Sequence, residues 1–128
     1  MKILLDTHLL LWAMTGSSKL SNRARSYLQD KENLCYFSAA SIWEIELKRR
    51  NHPETIPMLP EEVRQFSLNS GLHALSVDAS HASVADELPP IHGDPFDRML
   101  VAQSREEGMM LLTHDGKLSA YGDWVIEV

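Results

Sequence analysis

Short apolar runs of strand length alternate with longer stretches of helical spacing along the whole chain, and this alternation restricts the fold more than any other feature of its 128 residues. "KILLD" reads as a strand, followed by a turn or two of helix in "THLLLWAM" that Thr15 and Gly16 break. Ser21 is placed to cap a helix over "NRARSYLQD", and "LCYF" is the second strand. Ser38 caps the next helix, "AASIWEIELKRR", in which Ile42, Trp43, Ile45 and Leu47 recur at spacings of three and four. Beyond the proline-bounded segment 53–60, "EEVRQFSLNS" is helical with Gly71 as its stop. "HALSV" reads as a third strand and "ASHASVADEL" as a helix closed by Pro89 and Pro90. A helix then runs from "DPFDRMLVAQ" to near Gly108, followed by strands in "MMLLT" and "WVIEV". The pattern predicts one α/β domain over residues 1–128, with a mainly parallel central sheet of four or five strands flanked by helices.

Composition removes several alternatives. A hydrophobic content of 44% with 23% charge is that of a soluble globular chain, without disorder or membrane spans. The start "MKILLDTHLLLWAM" has the outline of a signal peptide. Asp6 and His8 interrupt its apolar run, however, and no small-residue cleavage site follows. The lone Cys35 cannot form an internal disulfide, which fits a reducing, cytoplasmic setting. A net charge of -6 argues against nucleic-acid binding through the overall field, but leaves room for a local basic surface such as "LKRR".

Functional groups of open α/β sheets gather beyond the carboxyl ends of the strands. Asp6 follows the first strand, Asp115 follows "MMLLT" by one residue, and Asp97 opens a helix whose preceding loop belongs on that edge. Glu44 lies in the second turn of the helix after "LCYF", which starts there too. Each acid also has a local reading as a cap or turn residue. Asp94, one residue before Pro95, is a natural N-cap; Asp97, at the third helical position, is placed to fold back on it. Glu44 is too deep in its helix to cap it and is spaced to pair with Lys48. If the four converge, two carboxylates about 6 Å apart repel by roughly 3 kcal/mol at an effective dielectric near 20, so the cluster takes up protons or a cation. An all-oxygen site suits Mg²⁺ or Mn²⁺, and a cation there turns an acidic pocket into a phosphodiester site.

"LLDTHLLLW", "SAASIWEIELK", "HGDPFDRMLVAQS" and "LLTHDGKLSAYG" together resemble the PIN-domain (PilT N-terminal-like) nucleases, and most closely the VapC-type toxins of bacterial toxin–antitoxin pairs. The four blocks occur in family order and span nearly the whole chain. The resemblance implies a Mg²⁺- or Mn²⁺-dependent endoribonuclease whose acidic quartet is Asp6, Glu44, Asp97 and Asp115, acting on RNA. Asp6 and Asp97 would be direct ligands, with Asp115 and Glu44 acting directly or through water. It also implies a homodimer and a small antitoxin protein that inserts a basic side chain among the acids. Asp94 stays the cap, with a direct role left open. Thr7 and Thr113 are either holders of metal-bound water or local backbone partners. Arg98 is either a phosphate contact or a surface arginine paired with an acid. Six histidines invite a zinc reading, but no H-x-x-x-H or cysteine pair is present, and they read as loop histidines.

A phosphoaspartyl phosphatase would want a second Asp two residues after Asp6, where His8 stands. A receiver domain would want paired acids after the first strand, and none is visible. The alternative from another class is a PIN-like module that binds RNA or protein without cleaving.

Overall fold

The structure, a computed structural model, describes residues 1–128. Five strands, β1 (Lys2–Leu5), β2 (Leu34–Ser38), β3 (His73–Leu75), β4 (Met110–Thr113) and β5 (Val125–Glu127), form one sheet in the order β3-β2-β1-β4-β5. Every neighbouring pair is parallel. Six α-helices connect them: α1 (Thr7–Thr15), α2 (Asn22–Gln29), α3 (Ala39–Asn51), α4 (Pro60–Asn69), α5 (Ala79–Glu87) and α6 (Pro95–Glu106). No helix is long and apolar enough to cross a membrane.

β1 shows why the sheet is covered on both faces. Ile3 and Leu5 point into a core shared with Leu9, Leu10, Ile45 and Val63, whereas Leu4 points into a second core with Leu100, Val101, Leu111 and Leu118. All three β1 side chains are essentially solvent-free, which is the central-strand environment of a parallel sheet. Burying each contributes roughly 1.5–3 kcal/mol. Gly16 (φ 67°) and Gly108 (φ 65°) sit in the left-handed conformation that ends α1 and turns the chain from α6 into β4.

The expected elements are present, with both edge strands shorter than expected, β5 being Val125–Glu127 rather than all of "WVIEV", and with one added turn. The third strand is only three residues, because β3 is an edge strand and the chain leaves the sheet at Ser76, whose carbonyl accepts from the Gln103 side chain (3.2 Å). Between β4 and β5, a stretch given no element from its sequence forms a 3₁₀ turn, Gly116–Tyr121, capped by Asp115. The strand order reverses between β1 and β4. The chain winds outward through β2 and β3, then returns to the other side of β1, so the β1–β4 carboxyl ends form the crevice in which such sheets bind ligands.

Candidate active site at the carboxyl edge of the sheet

At the β1 end, Asp6 is a buried N-cap. Its Oδ1 accepts from the Leu9 N–H of α1 (2.8 Å), and its Oδ2 accepts from the Thr113 hydroxyl (2.7 Å) and the His114 N–H (3.0 Å). The His114 ring stands 3.3 Å from the same oxygen. Burial alone would raise the carboxyl, but His114, the Leu9 N–H and Thr113 outweigh it and hold Asp6 below the usual carboxylate range. The Asp6 contact in turn holds His114 above the ordinary imidazole range, against a smaller opposing effect of burial.

The same end contains Glu44, 2% exposed. Its Oε1 accepts from the Thr7 hydroxyl (2.5 Å), which also touches Ser41 Oγ (2.9 Å), and its Oε2 pairs with Lys48. The i+4 pairing is therefore made, at a buried carboxylate rather than on a solvated helix face. Thr7 and Thr113 partner carboxylates, Glu44 and Asp6, in addition to the backbone N–H of Asp115 that Thr113 accepts (3.0 Å). The backbone-only reading of these threonines is corrected.

The α6 end is built differently. Asp94 caps the helix, Oδ1 accepting from the N–H groups of Phe96 (2.8 Å) and Asp97 (3.2 Å). Asp97 does not fold back on the cap, because the Asp94 N–H is taken by His92 Nδ1 (3.1 Å). That bond makes Nδ1 an acceptor and puts the proton of neutral His92 on Nε2, 3.0 Å from Asp115 Oδ2 and 3.7 Å from Asp97 Oδ2. The Asp97 carboxylate accepts no hydrogen bond. Burial and then the charges of Asp94 and Glu44, with Asp6 adding and His92 opposing, push its pKa up to about 7. Asp115 stays below the usual range: slight burial is outweighed by the Lys117 N–H and His92.

The structure thus brings Asp6, Glu44, Asp97 and Asp115 to one edge, three of them with hydrogen-bond or ion-pair partners of their own and Asp97 accepting no hydrogen bond. Arg98 serves neither expected role. Its guanidinium donates to the carbonyls of Ala85 (2.7 Å), Leu88 (3.1 Å) and Pro89 (3.1 Å), and so ties the end of α5 and the following loop to α6. The Ala85 and Leu88 carbonyls lie where α5 runs out of backbone donors, and the Pro89 carbonyl accepts in addition from the Ile91 N–H (2.8 Å) and the Tyr121 hydroxyl (3.0 Å). The sequence reading missed His92 and His114 as carboxylate partners. The available signal was position, His92 two residues before the cap and His114 between Thr113 and Asp115.

A divalent cation fits this donor set. Ligand atoms of His92, Asp97 and Asp115 lie within 4.8 Å of one another. With its proton on Nε2, His92 offers a hydrogen bond and no lone pair, so the oxygens of Asp97 and Asp115 would hold the ion. Oxygen donors and excess negative charge at Asp97 match a hard cation.

The PIN domain family model matches residues 3–123. The chain is similar to Ribonuclease VapC22 of Mycobacterium tuberculosis, 28% identical over 121 residues that cover 93% of this chain and 91% of that protein. In structure it is similar to VapC20 of Mycobacterium tuberculosis, described as a sarcin-ricin loop cleaving toxin, with a TM-score of 0.69 at 19% identity and 98% of each chain covered. It is also similar to VapBC2 from Rickettsia felis, solved bound to a DNA fragment from its promoter, with a TM-score of 0.66 at 16% identity over 94% and 93% of the two chains. Likeness at these identities shows the fold.

Proposed function

The chain belongs to the PIN domain family, and on that premise we propose that it is a divalent-metal-dependent endoribonuclease, the VapC-type toxin of a toxin–antitoxin pair acting in the cytoplasm. The observation that carries the reading is Asp97, a carboxylate without a hydrogen-bond donor, set among other acids where the strand order reverses and pushed up to about 7. Catalytic roles go to Asp6, Glu44, Asp97 and Asp115. When bound, Mg²⁺ or Mn²⁺ supplies a Lewis acid beside the scissile phosphate and a water nucleophile at neutral pH.

The chain's own residues do the rest. Asp97 and Asp115 present oxygens to the cation, and His92 orients Asp115. Asp6 fixes the β1–α1 junction and holds His114 over the edge of the site. Thr7 and Lys48 fix the orientation of Glu44. Asp94 sets the start of α6 and therefore the position of Asp97. An open acidic site also suits neutralisation by an antitoxin that inserts an arginine or lysine among these carboxylates, where the guanidinium fork pairs bidentately. Pairing of two copies belongs to the same proposal. The apolar face of Ala40, Trp43, Val77, Phe96 and Met99, on which Trp43 is 63% exposed, supports it.

The test is cleavage of RNA by purified protein with Mn²⁺, with EDTA, and as Asp97→Asn. Cleavage that requires Mn²⁺ and falls more than a hundredfold in folded Asp97→Asn is expected. RNA bound but never cut by the wild type would favour the non-cleaving module.

A further inference from the structure

Beside the acidic edge, between α1, α3 and the segment after α3, lies a groove of about 530 Å³ that shares only Thr7 and Lys48 with the proposed chemistry. No carboxylate lines it, although the chain carries 18 acids against 12 lysines and arginines. Its polar wall is His8, Lys19, Lys48, Asn51 and His52, with Trp12 among them. Lys19 is exposed and makes no ion pair. Lys48 holds Glu44 with one of its three N–H groups and keeps a 47% exposed side chain. His52 has its nearest acid, Glu54, 3.8 Å away, outside the lining.

Where the groove meets the site, three rings stand together. His8 and His114 are 4.4 Å apart between centroids, Trp12 and His114 5.0 Å, and His8 and Trp12 5.7 Å. Aromatic rings beside cations at the edge of a phosphodiester site are the two components that hold single-stranded nucleic acid: charge for phosphates and π-faces for bases. The opposite flank of the site, around Trp43 and Phe96, is apolar and carries no charge for a phosphate.

We infer that this groove is the path of the RNA strand leading away from the scissile phosphate, with Lys19 and Lys48 facing backbone phosphates and Trp12, His8 and His114 stacking the base next to the cut. The inference rests on the nuclease reading and supplies what an overall charge of -6 denies, a local binding surface for a polyanion. A basic antitoxin segment is drawn to the four carboxylates but repelled by these lysines, so charge complementarity selects RNA here.

The test uses a fluorescein-labelled 12-nucleotide single-stranded RNA and anisotropy in EDTA, in an Asp97→Asn background that does not cut it. Lys19→Glu is expected to weaken binding about fivefold and to make the salt slope shallower by about 0.7, the contribution of one phosphate contact. Asn51→Asp, also exposed, should weaken binding in the same direction. Lys31→Glu, an exposed change of equal charge on the turn before β2, should stay within twofold. In the Mn²⁺-loaded nuclease, Lys19→Glu should raise KM about fivefold with kcat within twofold, and Trp12→Leu should raise KM at a preserved thermal midpoint. Equal RNA affinity in Lys19→Glu and Lys31→Glu, with wild-type cleavage intact, overturns the groove, leaves it to a protein partner and spares the nuclease reading. Absence of both RNA binding and cleavage in the wild type overturns both.

Discussion

Asp6 and Asp97 stand on one sheet edge and are the same chemical group, yet the protein treats them in opposite ways. Asp6 is buried with a donor for each oxygen, from Leu9, Thr113 and His114, and is held in its charged form. Asp97 is half-buried with no donor, faces other acids, and is driven toward its neutral form near pH 7. One end of the edge therefore supplies its own hydrogen-bond donors and holds its acid fixed and charged. The other leaves negative charge for a cation. Clustered acids alone would not separate these roles; their hydrogen-bond partners do.

The largest break in this contrast is expected from Asp6→Ala. It strands the Thr113 hydroxyl and the N–H groups of Leu9 and His114 in a buried site, and urea denaturation should show a loss of about 3–5 kcal/mol. Because Asp6 is held below its unfolded value of about 3.8, its stabilisation is present above that pH and fades as the pH falls through and below it.

Asp97→Asn should act in the other direction. A carboxyl raised to about 7 when folded and near 3.8 when unfolded makes the folded state bind more protons between those values, so wild-type stability falls as pH rises from about 4 to 7. In EDTA the Asn variant should be more stable than wild type by about 2–4 kcal/mol at pH 8 and equal to it at pH 4. A variant no more stable at pH 8 than at pH 4, relative to wild type, would remove the electrostatic distinction between the two ends.

The smallest effect separates cap from site within α6. Asp94→Ala should cost about 1 kcal/mol through lost bonds to the Phe96 and Asp97 N–H groups, with RNA cleavage lowered only a few-fold. Cleavage abolished at unchanged stability would move Asp94 from the framework into the chemistry.

The alternation of strand and helix patterns, the Asp94 cap and the arrival of four acids at one edge were all legible from spacing, since each follows from local periodicity and the rule for parallel sheets. What was not legible depends on partners far apart in the chain. Thr113 reaches Asp6 across 107 residues and Thr7 reaches Glu44 across 37, so no local pattern distinguishes a threonine bound to a carboxylate from one bound to nearby backbone. Arg98, next to Asp97, offered two readings, a phosphate contact or a surface arginine paired with an acid, whereas its partners are carbonyls at the end of α5 and in the following loop. His92 was hidden for a similar reason. Its tautomer is set by the Asp94 N–H, a bond that exists only once the loop has folded.

The claim that the under-neutralised end carries the cation is tested most directly by calorimetric titration of Mn²⁺ into wild type and Asp97→Asn at pH 7, in two buffers of different ionisation enthalpy. Wild type is expected to bind Mn²⁺ with release of a fraction of a proton, because Asp97 is partly protonated there before the ion arrives. Asp97→Asn should bind at least tenfold more weakly and without that release. Equal affinity and equal proton release in the two proteins would contradict the account.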